Sequence, residues 1–249
     1  MHRFHVPPEH CRGDRVTLGE GDRRHAVRVL RLQAGETIEV LDGAGTLLAC
    51  RIFRADRESV EASVLFRERV PQPPQVVLAA ALLKGKAMDF LIQKATELGA
   101  ATLQPLALER CVARVEPGEA EDKVAGWKAT AVEACKQCGN PWMPRFEPPR
   151  SLTSFLSQRA PGLMMVASLA GQPRLPGAIL REFGKPPGAV TIVTGPEGDL
   201  TESELDQLTA AGTVPFTLGP LVLRGETAAL AALAIVQHEM RMMRVGSGE

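Results

Sequence analysis

Apolar positions along this chain follow two rhythms, and the change falls near residue 70. Before it, Thr37–Leu41, Leu47–Phe53 and Val60–Phe66 read as strands, with apolar–polar alternation plain over Thr37–Val40 and Val60–Val64. The Asp42-Gly43-Ala44-Gly45 turn joins the first two as a hairpin. Asp22–Leu32 breaks the alternation: Ala26, Val27, Val29 and Leu30 predict a short helix with one buried face. Beyond it, continuous apolar runs take over. Val76–Leu83, Thr102–Leu106, Leu163–Ser168, Val190–Thr194 and Val214–Leu218 read as strands buried on both faces. Between them lie helical stretches at Ala87–Leu98, Ala120–Cys138, a segment opened by the Thr201/Glu204 capping box, and Gly225–Met243. Alternating strands and helices predict an α/β domain with a largely parallel sheet. Val70-Pro71-Gln72-Pro73-Pro74 can continue neither a helix nor a central strand. The predicted organisation is therefore a β-rich unit at 1–70, a linker at 71–74 and an α/β domain at 75–249.

Composition changes this picture little. The longest apolar stretches, Val76–Leu83 and Ala228–Val236, fall short of the roughly 20 residues a membrane span needs, and the N-terminus lacks a signal-peptide pattern, so a cytoplasmic location is expected. Five cysteines, an odd number, argue against a disulfide framework. Cys135 and Cys138 form one C-x-x-C without a matching second pair, so they read as helix residues and no metal is expected.

Formal charge is zero, and residues 1–70 hold 12 arginines against 11 acids. Any nucleic-acid affinity must come from a local patch. Arg23, Arg24, Arg28 and Arg31 supply one candidate, within nine acid-free residues. Arginine suits the role because its planar fork grips phosphate and stacks on bases; a solvated helical face is the alternative.

Two loops stand out chemically. Thr194-Gly195-Pro196-Glu197-Gly198-Asp199 follows a buried strand and precedes a capped helix, where open α/β sheets gather ligands. Leu218-Gly219-Pro220-Leu221-Val222-Leu223 follows another, then sets Arg224, Glu226 and Thr227 at the mouth of the last helix. Glu226 suits a helix N-terminus, whereas Arg224 opposes the dipole and calls for another partner.

Together these loops resemble the SPOUT superfamily of knotted methyltransferases, and more closely the RsmE family, which methylates N3 of a uridine in small-subunit (16S) ribosomal RNA. Met1–Phe4, His25–Arg31, Lys94–Gly99, Glu109–Cys111 and Glu133–Gly139 extend the resemblance over the whole chain. It implies a small PUA-like RNA-binding β-barrel, a trefoil-knotted α/β domain, S-adenosylmethionine as cofactor, a homodimer, and action on the assembled small subunit. Ser168, Leu169, Thr194, Gly195, Pro196, Glu197, Gly198, Leu218, Gly219, Leu223 and Thr227 would hold the cofactor. Arg224, Glu226 and Glu197 would serve the chemistry, and the four arginines would meet RNA. The chain departs from the family pattern in two places. Asp199 and Leu200 stand where a second glycine and an aromatic are usual, and Leu221 replaces a usual basic residue. A transfer-RNA or large-subunit target keeps the same fold, and a non-catalytic assembly factor is the reading from another class.

Overall fold

The computed structural model describes residues 1–116, 118–159, 161–168 and 173–247. Its strands are β1 (His2–His5), β2 (Arg15–Thr17), β3 (Thr37–Leu41), β4 (Thr46–Ala55), β5 (Val60–Arg69), β6 (Val76–Ala81), β7 (Thr102–Ala107), β8 (Arg145–Phe146), β9 (Arg150–Ser151), β10 (Leu163–Ala167), β11 (Val190–Thr194) and β12 (Val214–Phe216). Its α-helices are α1 (Glu20–Arg24), α2 (Lys86–Glu97), α3 (Ala120–Cys138), α4 (Leu152–Gln158), α5 (Pro176–Arg181), α6 (Glu202–Ala210) and α7 (Gly225–Ser247).

The chain divides into two compact units, one of Met1–Gln72 with Ala131–Met143, the other of Pro73–Thr130 with Pro144–Glu249. In the first, strands run in the order β1-β3-β4-β5-β2. The β1–β3 pair is parallel and the other pairs are antiparallel. Phe4 and Val6 near one edge join the same core as Val16 and Leu18 near the other, so the sheet curls around a single cluster with Ile38, Leu48 and Ile52. The predicted Asp22–Leu32 helix is instead one turn of α1 continued by a π-helical turn, His25–Val29. Ala26 is the one fully buried side chain of that turn. The wider winding ends at Arg31, whose φ of 55° is left-handed.

The last two turns of α3, from Ala131, and the loop after it complete this first unit. Trp142 donates Nε1–H to the Val70 carbonyl at 3.2 Å. Its ring fills the space a side chain at Gly45 would need, and φ of 99° there also favours glycine.

In the second unit, β12-β10-β11-β6-β7-β8 form one sheet, with β9 also on β7, and every pair is parallel. Continuous apolar strands lie centrally, as burial on both faces requires: Val76, Leu78 and Ala79 of β6 and Val190, Ile192 and Val193 of β11 are inaccessible to solvent. Helix α7 packs Ala229, Ala232, Leu233 and Val236 inward, against β6, β11, α2 and α5. The short helices α4 and α5 lie in a stretch where apolar periodicity is too brief to announce them.

Candidate active site and nucleic-acid surface

Strands β10, β11 and β12 end side by side, and the loops that leave them surround one cleft. Ser168, Thr194, Gly195, Pro196, Glu197, Leu218, Gly219 and Leu223 all line it, joined by Ala167, Asp199, Phe216, Leu221, Val222, Gly225 and Ala228. Its empty space, part of it open to solvent, is about 730 Å³. Leu169 lies outside the described residues. Gly198 and Thr227 are neighbours of the lining without being part of it, and so are Arg224 and Glu226.

Each loop is fixed by its own backbone. Asp199 N–H donates to Pro196 O at 2.9 Å, closing a turn over Pro196–Asp199. The turn sets Asp199 at φ 61°, where the chain lacks the family's usual glycine. An aspartate tolerates that conformation better than most residues, and its Oδ1 accepts from Leu200 N–H at 2.8 Å. In the second loop the Thr217 hydroxyl donates to Gly219 O and accepts Gly219 N–H, both at 3.1 Å, at a glycine with φ 116°. At Gly225 a β-carbon would come within 2.8 Å of Leu83 Cδ2, so α7 starts close against the end of the β6 run.

A brace that sequence reasoning missed supports the first loop from outside. Arg110 Nη1 donates to Gly198 O at 2.8 Å and to Leu200 O at 3.4 Å. The backbone N–H of Glu109 donates to Glu204 Oε1 at 2.9 Å. The other oxygen of Glu204 accepts from Thr201 N–H at 2.9 Å, which completes the capping box of α6. One buried carboxylate therefore ties the helix to the turn that holds the glycine loop. Glu109-Arg110-Cys111 had stood out only as part of a family resemblance, because a contact across 95 residues leaves no local pattern.

Electrostatically the cleft is one-sided. Its described lining contains two carboxylates, Glu197 and Asp199, and no cation. Thr194 is 1% exposed, and its Oγ1 has no hydrogen-bond partner among the described residues. Apolar walls, backbone groups, a spare hydroxyl and net negative charge suit a flat heterocycle joined to a cation. Arg224 and Glu226 sit at the start of α7 with no side-chain hydrogen bond or ion pair among the described residues.

The first unit holds a second polar cleft, lined by Glu20, Arg23, Arg24, Val27, Arg28, Asp56 and Arg57. It gathers three of the four predicted arginines and omits Arg31. Arg24 pairs with Glu20 at 2.7 Å, and Arg23 Nη1 donates to Glu58 O at 2.5 Å. Hydrogen bonds from Arg54, Ser59 and Glu58 hold the Asp56 carboxyl down to about 2, so it stays ionised. Arg28 and Arg57 carry no ion pair among the described residues. Arg57 escaped sequence reading because it joins the patch from a separate turn.

Cys135 is buried, which pushes its thiol up to about 12, whereas Cys138 is exposed. Among the described residues, no group of three or more His, Cys, Asp and Glu could hold a metal ion, and no helix is long and apolar enough to cross a membrane.

One unit is a parallel α/β sheet with a loop-built cleft at its strand ends, and the other is a small β unit carrying an arginine-rich cleft. Residues 70–237 match a family model described as an RNA methyltransferase domain, and residues 13–65 match one described as an RNA methyltransferase PUA domain. The ribosomal RNA small subunit methyltransferase E of Synechocystis sp. is 32% identical over 94% of this chain and 76% of its own. That of Bacillus subtilis is 31% identical over 88% of each. The crystal structure of a ribosomal RNA small subunit methyltransferase E from Neisseria gonorrhoeae bound to S-adenosyl methionine superposes with a TM-score of 0.85. It is 31% identical, over 96% of this chain and 97% of that one. The chain belongs to this RNA methyltransferase family, among its ribosomal RNA small subunit methyltransferase E members.

Proposed function

We propose that this protein transfers a methyl group from S-adenosylmethionine to N3 of a uridine in small-subunit ribosomal RNA, acting in the cytoplasm on the assembled subunit. The observation that carries the reading is the cleft at the ends of β10, β11 and β12, apolar-walled, lined by carboxylates and free of cations among the described residues. S-adenosylmethionine carries a sulfonium and an ammonium, and its adenine suits the walls formed by Leu218, Leu223 and Phe216. When bound it supplies a methyl group already activated toward a nucleophile.

What the protein must add is position and charge. Thr194 Oγ1 offers the cofactor a hydrogen bond that none of the described residues takes. The Gly195–Gly198 and Leu218–Leu223 backbones would hold it, and catalysis would then rest on positioning the uridine against it. Uracil N3 carries a proton at neutral pH, and Arg224 stabilises the anion left when that proton departs. Glu226 or Glu197 orients Arg224 or accepts the proton. An unpaired or flipped uridine is required, since pairing hides N3. Arg23, Arg24, Arg28 and Arg31 contact the RNA. The α/β domain is read as a SPOUT-type trefoil knot, and the protein as a homodimer in which Arg224 and Glu226 act where two knots meet. Support for the dimer comes from Leu221 and Val222, 73% and 84% exposed beside the cleft.

Titration calorimetry with S-adenosylmethionine tests the cofactor, and absence of binding sinks the reading. Small and large subunits from a strain lacking the protein, treated with it and mapped for new methyl groups, test the target. Methylation confined to transfer RNA or to the large subunit overturns it.

A further inference from the structure

Outside both clefts, the first unit carries an exposed sheet face with an arrangement that charge and burial patterns leave unexplained. Along β4, Leu48, Cys50 and Ile52 are buried, so Ala49, Arg51 and Phe53 point to the opposite face. Phe66 of β5 lies directly opposite Ala49, and Ser63 opposite Arg51. Across the next pair Arg15 of β2 lies opposite Ser63. One surface thus presents Phe66 on β5, across from Ala49, and Arg51 and Phe53 farther along β4, Phe53 at a break in the register, with Arg15 alongside. Phe53 is 42% exposed and Phe66 60%, in a chain with only eight phenylalanines and no tyrosine. The Arg15 guanidinium lies 5.1 Å from the Phe53 ring centroid, which holds that ring flat against a cation.

Charge on this face favours a polyanion. Glu61 is engaged by Arg54 and Glu39 by Arg3, while Arg51 and Arg15 have no acidic partner among the described residues. Glu68 closes the face beyond Phe66, so a phosphate chain would run on the Arg15–Arg51 side. Flat rings beside planar guanidinium groups that have no acidic partner among the described residues are the chemistry that stacks bases of a single strand and neutralises its backbone.

We propose that this face is a stacking platform for unpaired RNA, separate from the arginine cleft at α1. The proposal rests on the RNA methyltransferase reading for its partner, and it adds where single-stranded RNA lies. It implies recognition by base faces, tolerant of sequence, rather than by groove shape.

The test is fluorescence anisotropy with a uridine-rich single-stranded RNA oligonucleotide and with a duplex of equal length, on the full chain. The double variant Phe53→Ala/Phe66→Ala is expected to weaken single-strand binding by about 10-fold or more, at ~1–3 kcal/mol per stacked base, with duplex binding little changed. Phe53→Trp/Phe66→Trp should retain it. Arg15→Ala/Arg51→Ala should weaken it and flatten its salt dependence. Calorimetry with S-adenosylmethionine on the same variants separates the two readings. Wild-type protein that binds RNA through these rings but no cofactor counts against the methyltransferase and leaves the platform standing. Unchanged single-strand affinity in the Phe53→Ala/Phe66→Ala variant overturns the platform. So does an altered oligomeric state with unaltered RNA binding, which makes the face a protein interface.

Discussion

Asp199 concentrates a conflict between backbone and side chain. A left-handed φ of 61° costs a non-glycine residue ~1–2 kcal/mol, less for aspartate with a local hydrogen bond such as the one from Leu200 N–H. Asp199→Gly is therefore expected to leave stability unchanged or raise it by up to about 1 kcal/mol in urea unfolding. Asp199→Ala, which keeps the strain and loses the hydrogen bond, should lower it by about 1 kcal/mol. Equal stability for the two variants would remove the strain argument. Arg224 poses a different question, because its side chain is exposed at the mouth of α7 and has no hydrogen bond or ion pair among the described residues. If it stabilises charge only during reaction, Arg224→Ala should cut turnover roughly 100-fold or more and leave calorimetric cofactor affinity nearly unchanged. Normal turnover would take Arg224 out of the active site. Such residues were legible in the sequence as types in suggestive places: glycines, a proline and carboxylates at the end of a buried run. The spare hydroxyl of Thr194 was not, because an unpartnered atom becomes visible only when every neighbour is known.

Helix α6 shows how far local sequence reaches. Thr201 and Glu204 announce the capping box, and the structure contains both of its hydrogen bonds. The second duty of Glu204, accepting Glu109 N–H from a distant turn, has no local signature. Burial at 6% exposure makes that carboxylate hard to replace. Glu204→Ala strips the cap and leaves a backbone donor unmet, so a loss of about 2 kcal/mol or more is expected. Glu204→Gln keeps one accepting oxygen and should fall between. Because Arg110 braces the Gly198 and Leu200 carbonyls, the alanine variant should also weaken cofactor binding. Leu208→Ala, a core truncation on the same helix, serves as the control. If both variants weaken binding equally, the brace has no specific role. The same contrast runs through the other elements. Long periodic stretches such as α2 and α3 declared themselves, while two-residue β8 and β9, and α4 and α5, depend on neighbours in space for their existence. At α1 the period failed because a π-helical turn shifts the face that the 3.6-residue spacing assigns.

Two compact units, one assembled from both sides of the Pro73–Thr130 excursion, give the whole molecule a property that neither unit's sequence contains. The proline cluster marks where the chain leaves the first unit, but nothing in the pattern of α3 says that its last two turns return there. They bring Lys136 to Asp22 and Glu133 at 2.8 and 2.6 Å. Burial by itself would lower the Lys136 pKa, yet the hydrogen bonds to Asp22 and Glu133 outweigh it and raise the value. His5 lies in the same neighbourhood, its backbone N–H donating to Asp22 at 3.2 Å. Burial lowers its pKa below the ordinary 6.5, against the pull of Asp22, and the Lys136 charge adds to the lowering. The two groups act at opposite ends of the pH scale. Lys136 contributes stability that is complete below its unfolded pKa and is lost only as alkaline pH rises through its raised folded value. For His5 the unfolded chain binds the proton more readily, so stability is complete above the ordinary histidine range and falls as pH drops through 6.5 toward the lowered folded value. Trp142 belongs to the first unit and Trp127 to the second, so Trp127→Phe leaves a fluorophore that reports the first alone. In that background the urea midpoint is expected to fall between pH 7.5 and 5, and His5→Gln should flatten the fall without abolishing folding. Lys136→Met, which removes a charge that helps lower the His5 pKa, should make the fall shallower as well as lower the midpoint. An equally steep decline in the His5→Gln variant would move the pH sensitivity to other groups.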